Sequence, residues 1–378
     1  MVQRFTIHIS DGDLQDLERR LAAARWPAGI ADSGGLSRAT LEPLVTSWRS
    51  GFGWRAAEAE LNRHPHFTAD VGGSRIHFVH LRSAREHASA VLLLHGWPGS
   101  FVELLQVGEL LRSRHHVVIP SIPGFGFSSV PSTPGMSNRA AASVLARLMS
   151  ELGYGRFAVH GGDIGAGIGS WMARDFAARM TALHLNYIPG SYAPAGELSD
   201  AERDFVQGRQ AWFDSRGAYA HIHRTTPLTA AYALSDSPIG LAAWIVEKFE
   251  LWADPASDIS REVLLTNAAL YWFTNTISSS MRFYLESART PLSFRAGERI
   301  GVPTAVARFP HEMPFPPRTY VERGYNVVRW VEMPRGGHFA ALEEPELLAR
   351  DIGEALAALV STHDEGGSTH HSAPNATS

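Results

Sequence analysis

From Ala90 to Pro189 the chain repeats one pattern, a short apolar run followed by a stretch with helical spacing. "AVLLLHG" precedes "FVELLQVGELLRS", "HHVVIPSIPG" precedes "NRAAASVLARLMSELG", and "RFAVHGGD" precedes "GAGIGSWMARDFAARM" and then "LHLNYIP". Runs that are apolar at nearly every position suit strands covered on both faces. Alternation of such strands with helices predicts an α/β fold, a mostly parallel sheet with helices on both sides. In such sheets ligands bind beyond the carboxyl ends of the strands, so function is sought in the segments that follow them.

The flanking regions break this rhythm. "SDGDLQDLERRLAAARWP", "LEPLVTSWRSGF" and "WRAAEAELNRH" read as amphipathic helices, and "HFTADVG" and "RIHFVHL" as a hairpin across "GGS". From Ser191 to Leu292 helical, aromatic-rich stretches replace the alternation. Strand patterns return at "PTAVARFP" and "VVRWVEMP", before a last helix "ELLARDIGEALAALVS". The expected organisation is an N-terminal helical extension packed on the core (1–68), a first core segment (69–190), a helical cap (191–292), a second core segment (293–361) and a disordered tail (362–378).

Composition closes off several classes. The 378 residues are 44% hydrophobic, enough for a large core, and the formal net charge of -4 is spread without a basic stripe, so nucleic acid is not an expected partner. There is no cysteine, which removes disulfides, thiolate metal sites and cysteine nucleophiles. The first residues lack the apolar core of a signal peptide, so a cytoplasmic protein without a membrane anchor is expected. No oligomeric state follows from the sequence, and a homodimer is one reading.

Three segments carry chemistry. In "HGGDIGAG" (160–167) a glycine-flanked Asp163 stands between a strand and a helix, the place of a nucleophile elbow. Asp is equally a favoured helix N-cap, and for this segment alone the two readings compete. "LLLHGWPGSF" and "IPGFGFSS" each follow a strand. A loop like the first supplies one backbone amide of an oxyanion hole and the residue after the nucleophile supplies another; here those are Trp97 and Ile164. Pro98 is a candidate cis-proline, although "GWPG" also reads as a simple tight turn. "MPRGGHFAALEEP" puts His338 on a glycine-rich loop before the last helix, so the order nucleophile, acid, histidine can be met. Glu312 is the best-placed orienting acid, with Glu322 and Glu332 as weaker choices. The remaining histidines, among them His115, His116, His221, His223, His370 and His371, lack convincing partners for a metal site, so no metal is expected.

Taken together, "HGWPGS", "GFGFS", "GGDIG", "YAHIHRTTP", "MRFYLE" and "GGHFAALEEP" resemble the epoxide hydrolases of the α/β-hydrolase fold, in particular their microsomal-like branch. "WRAAEAELNRHPHFTADVGGSRIHFVH" is similar to that branch's N-terminal region. The resemblance spans nearly all of the chain except the tail and is nearest to soluble bacterial and fungal members, including those of enediyne biosynthesis. It implies Asp163 as nucleophile, His338 as base and Glu312 as its orienter. It also implies that Tyr219 and Tyr284 hydrogen-bond the epoxide oxygen, a role the residues alone do not single out among nine tyrosines. It implies no cofactor, a small-molecule epoxide as partner, and a role in detoxification or secondary metabolism. Ile164 stands where the branch often has tryptophan, which puts the pocket's shape in question but not the backbone amide.

A carboxylate nucleophile suits this chemistry. Attack by serine on an epoxide would leave an ether, whereas aspartate leaves an ester that water can cleave. Haloalkane dehalogenation is the nearest rival, but Ile164 offers no side-chain donor to a halide. A serine hydrolase is disfavoured because no G-x-S-x-G occurs. A homologue that binds ligands without turnover is the reading from another class. The aromatic residues Trp212, Phe213, Trp244, Trp252 and Trp272 of the cap segment suggest a bulky or aryl epoxide, or else pack the cap itself.

Overall fold

The computed structural model describes residues 1–28 and 34–364. The chain opens with a short strand, β1 (Val2–Arg4), and three helices, α1 (Asp11–Ala22), α2 (Arg38–Ser50) and α3 (Trp54–Leu61). The hairpin β2 (His66–Val71) and β3 (Ser74–Leu81) follows. Then come β4 (Ser89–Leu94), α4 (Leu105–Leu111), β5 (His115–Pro120), α5 (Asn138–Glu151), β6 (Phe157–Gly161), α6 (Asp163–Asp175) and β7 (Met180–Leu185). Between β7 and the next strand lie α7 (Asp200–Arg216), α8 (Ala218–Thr225), α9 (Pro227–Asp236), α10 (Pro238–Trp252), α11 (Arg261–Thr274) and α12 (Ile277–Ala288). The chain ends with β8 (Ile300–Arg308), α13 (Arg318–Glu322), β9 (Tyr325–Glu332), α14 (Ala340–Glu343) and α15 (Pro345–Asp364).

The nine strands among the described residues form one sheet in the order β1-β2-β3-β5-β4-β6-β7-β8-β9. The six strands from β5 to β9 are parallel, and the hairpin and β1 join antiparallel at one edge. The apolar runs explain the centre. Val91 to Leu93 of β4 and Val117 to Ile119 of β5 are fully buried, as expected where helices cover both faces. This is the α/β architecture that the alternation predicts.

Three details differ from the sequence reading. Strand β1 was not expected; its three residues pair with Phe67–Ala69, so the partner sets it rather than any pattern of its own. The helix expected from Phe101 opens with a tighter 3₁₀ turn over Phe101–Leu104 before α4. The three N-terminal helices also reach beyond the core, to the helices that follow β7. α1 and α2 meet α10, and α2 and α3 meet α11. Trp54 packs edge-on against Phe273 with ring centroids 4.9 Å apart, and Arg20 pairs with Asp236 at 2.8 Å. The closing helix runs through Asp364, and the tail from 365 lies outside the described residues. No helix among the described residues is long and apolar enough to cross a membrane.

Candidate active site

Asp163 sits where β6 turns into α6. Its φ of 43° is left-handed, one of two such non-glycine residues among those described. A side chain held there costs on the order of 1–3 kcal/mol, and such strain persists where the surroundings over-determine it. The surroundings are tight. A Cβ on Gly165 would lie 2.2 Å from the Leu94 carbonyl oxygen, and one on Gly96 would lie 2.4 Å from the Asp163 Cβ. Only glycine permits β4, its loop and α6 to approach this closely. Asp163 does not act as a side-chain cap: no side-chain cap bond is made at this helix start, whose N-cap is Gly162.

The carboxylate is already bound by the amides expected to form an oxyanion hole. The Trp97 N–H donates to Asp163 Oδ1 at 2.8 Å, and the Ile164 N–H also bonds the carboxyl group. Burial pushes this carboxyl above the ordinary Asp range, against the opposing pull of His338 and those two amides. The Trp97–Pro98 peptide is cis. Helix α11 holds this loop from above: Asn267 Nδ2 donates to the Pro98 carbonyl at 2.6 Å and the Tyr271 hydroxyl to the Gly99 carbonyl at 2.9 Å.

His338 lies opposite. Its Nε2 is 3.7 Å from Asp163 Oδ2, and its Nδ1 is 2.7 Å from Glu312 Oε1. Glu312 sits on the loop after β8, its side chain fully buried, and also accepts from the Met313 amide at 2.8 Å. Glu322 and Glu332 lie elsewhere on exposed ion pairs, with Arg318 at 2.6 Å and Arg308 at 3.2 Å. Burial alone would depress the imidazole, but Glu312, followed by Asp163 and Glu103, outweighs it and raises His338 to about 9. The loop carrying His338 is clamped by two acids that the sequence did not single out. Asp254 accepts from the Gly336 amide at 3.0 Å, and Glu343 accepts from those of Gly337 and Phe339 at 2.9 and 2.7 Å.

Tyr219 on α8 and Tyr284 on α12 come to the same pocket as Asp163, a space of about 200 Å³ also lined by Ile164, Tyr187, Phe213, Phe283 and Met313. Their rings are 6.1 Å apart at 80°, and their hydroxyls interact with each other. Tyr219 stacks on Trp97 at 5.3 Å and 7°. Burial, reinforced by the Asp163 charge, raises both phenols well above their usual value, so both are neutral donors. Of the five aromatic residues named in the segment after β7, Phe213 lines the pocket, Trp212 packs edge-on against Phe213 at 5.1 Å, and Trp252 packs against Tyr219 and His338. Trp244 donates to His223 at 3.1 Å and Trp272 stacks under Arg20, both away from the pocket lining.

Two side chains beside the site were missed. Tyr187 follows β7, stands edge-on to His338 at 5.8 Å and lines the pocket. The rule that placed Asp163, a residue just past a strand's carboxyl end, also points to it. Glu103 accepts from the Gly96 amide at 3.2 Å and shares a small cavity with Asp163 and His338. Burial raises its carboxyl to about 8.

The chain matches two family descriptions, "Epoxide hydrolase N terminus" over residues 2–104 and "alpha/beta hydrolase fold" over residues 89–345. Epoxide hydrolase 1 of Sus scrofa is 34% identical, covering 93% of this chain and 87% of its own length. The solved Aspergillus niger epoxide hydrolase is 33% identical with a TM-score of 0.86, covering 95% of this chain and 97% of its own. The juvenile hormone epoxide hydrolase of Bombyx mori is 29% identical with a TM-score of 0.83, covering 96% and 95% respectively. By sequence, fold and the groups gathered around Asp163, the chain belongs to the epoxide hydrolases, hydrolytic enzymes of the α/β-hydrolase fold.

Proposed function

We propose that this epoxide hydrolase forms a vicinal diol through an ester on Asp163, with an apolar, aryl-sized epoxide as substrate. One observation carries the reading. A strained, amide-bound carboxylate lies 3.7 Å from a histidine, across the pocket from two neutral phenols. An oxygen of Asp163 attacks an epoxide carbon while Tyr219 and Tyr284 donate to the oxygen that leaves it. The ring C–O bond breaks, the alkoxide takes a proton from the tyrosine pair, and the protonated His338 restores that pair, which leaves a neutral imidazole. A water then adds to the ester carbonyl, giving its proton to Nε2 of His338, whose Nδ1 stays on Glu312. The Trp97 and Ile164 amides stabilise the tetrahedral oxyanion as it forms. Collapse breaks the bond to the diol oxygen, which takes the water's remaining hydrogen, so Asp163 returns to its carboxylate and His338 to its protonated resting form.

The pKa of His338 fits this division of labour. Part of its rise comes from the Asp163 charge, and ester formation removes that charge. The imidazole therefore becomes easier to deprotonate in the state where a base is required. The apolar wall of Ile164, Phe213, Phe283 and Met313 supports an aryl-sized substituent beside the reacting carbon. Two phenols suit an oxygen leaving group, which sets the epoxide above a halide as substrate. Turnover of styrene oxide by the wild type and by Asp163→Ala tests the proposal. Diol formation lost in a folded variant is expected; retained turnover overturns it.

A further inference from the structure

Beside Asp163, which is the one residue it shares with the lining of the substrate pocket, lies a cavity of about 30 Å³ lined also by Glu103, His160, Asn186 and His338. A cavity needs roughly 10–15 Å³ and two or more polar partners to hold a water, so this one suits one or two. Its walls offer such partners. Asn186 is buried, and its Oδ1 has no protein partner among the described residues. His160 is buried too, and among the described residues its ring hydrogen-bonds only to His184, through Nδ1 and the His184 backbone.

The partners of His160 dictate which way its protons face. His160 Nδ1 lies 2.9 Å from His184 Nδ1, and His184 Nε2 lies 2.9 Å from Asp351 Oδ2. Asp351 is also ion-paired with Arg329, which reaches the surface residue Glu354 at 2.8 Å. A carboxylate only accepts, so a neutral His184 carries its proton on Nε2. Its Nδ1 is then an acceptor, so His160 must donate from Nδ1. What remains on His160 is a bare Nε2 lone pair, on a residue that walls the cavity. Burial depresses His160 strongly, which keeps its ring neutral.

We propose that this cavity holds the water that opens the Asp163 ester, and that His160 is a positioning residue for it, accepting one of its hydrogens at Nε2 while His338 takes the other. The proposal rests on the ester mechanism above. The water oxygen adds to the ester carbonyl, one proton passes to His338, the bond to the diol oxygen breaks, and that oxygen takes the water's second hydrogen as Asp163 returns to its carboxylate. His160 keeps a hydrogen bond and receives no proton. The chain Asp351–His184–His160 thus fixes a tautomer beside Asp163, as Glu312 fixes that of His338.

The test uses the full-length enzyme with styrene oxide, following ester formation and ester loss separately by rapid quench and intact-protein mass. His160→Leu is expected to slow ester loss by about ten- to a hundred-fold while formation stays within about threefold, so that the ester accumulates. His160→Gln, which restores a hydrogen-bonding group, is expected to recover most of the loss. Should the Leu variant not fold, Asp351→Asn tests the same chain with His160 in place, and the same selective slowing of ester loss is expected. Equal slowing of both steps, or unchanged ester loss, in a folded variant overturns the proposal. Failure of the wild type to form any ester would instead overturn the mechanism on which it rests.

Discussion

Glu312→Gln removes one charge from the site and changes little else. Glu312 Oε1 already accepts from His338 Nδ1 at 2.7 Å and from the Met313 amide at 2.8 Å. An amide oxygen can accept both bonds in the same place. What is lost is the negative partner of His338 when it takes a proton from water. At that separation, with an effective dielectric near 20, the charge pair sets an upper bound of about 6 kcal/mol. The hydrogen bond that survives retains part of this, and hydrogen bonds to charged groups are worth about 1.5–3 kcal/mol by mutation. Ester loss is therefore expected to slow by about 2–3 kcal/mol, roughly thirty- to a hundred-and-fifty-fold. Rapid quench with intact-protein mass measures it, and the ester should accumulate. Glu322→Gln is the control; its exposed pair with Arg318 should matter by less than about twofold. Ester loss within threefold of wild type in Glu312→Gln, or an equal loss in Glu322→Gln, refutes the reasoning.

The other expectations follow from the same geometry. Tyr219→Phe and Tyr284→Phe should each slow ring opening by about ten- to a hundred-fold and leave ester loss nearly unchanged, as single-turnover rates will read. His338 should titrate near 9 in the resting enzyme and lower in Asp163→Asn, where a neighbouring negative charge is gone, by imidazole NMR. Because its folded value lies above the unfolded value near 6.5, the stability it contributes is complete below about pH 6.5. That stability is lost as pH rises through about 9, so denaturant midpoints should fall more over this range in wild type than in His338→Gln. Gly165→Ala should destabilise by about 1–3 kcal/mol, lowering the melting midpoint, because its Cβ would meet the Leu94 carbonyl at 2.2 Å.

Much of this site could be read from the chain because its parts obey local rules. An apolar strand, a glycine-flanked Asp163 and a helix is a pattern within a dozen residues, and the loops with Trp97 and His338 also follow strands. Glu312 was separable from Glu322 and Glu332 by position along the chain, and in the structure it is the buried one of the three, beside His338. Tyr219 and Tyr284 came only through resemblance, since helical aromatics pack more often than they react. What stayed hidden depends on contacts between distant segments. Glu103 sits in an apolar helical pattern that does not reveal a cavity beside it. His160 and His184 look like strand residues until β6 and β7 pair and place their rings 5.0 Å apart. Likewise, nothing in α1 or α3 says that they reach α10 and α11 rather than the sheet alone.

The central claim is that Asp163 becomes an ester whose acyl carbon, not the epoxide carbon, is attacked by water. A single turnover in heavy-oxygen water, with excess enzyme over styrene oxide, tests it directly. The account predicts that the label enters the Asp163 carboxylate, found by peptide mass analysis, and that the first diol carries none. Label in the first diol with an unlabelled Asp163 would contradict it.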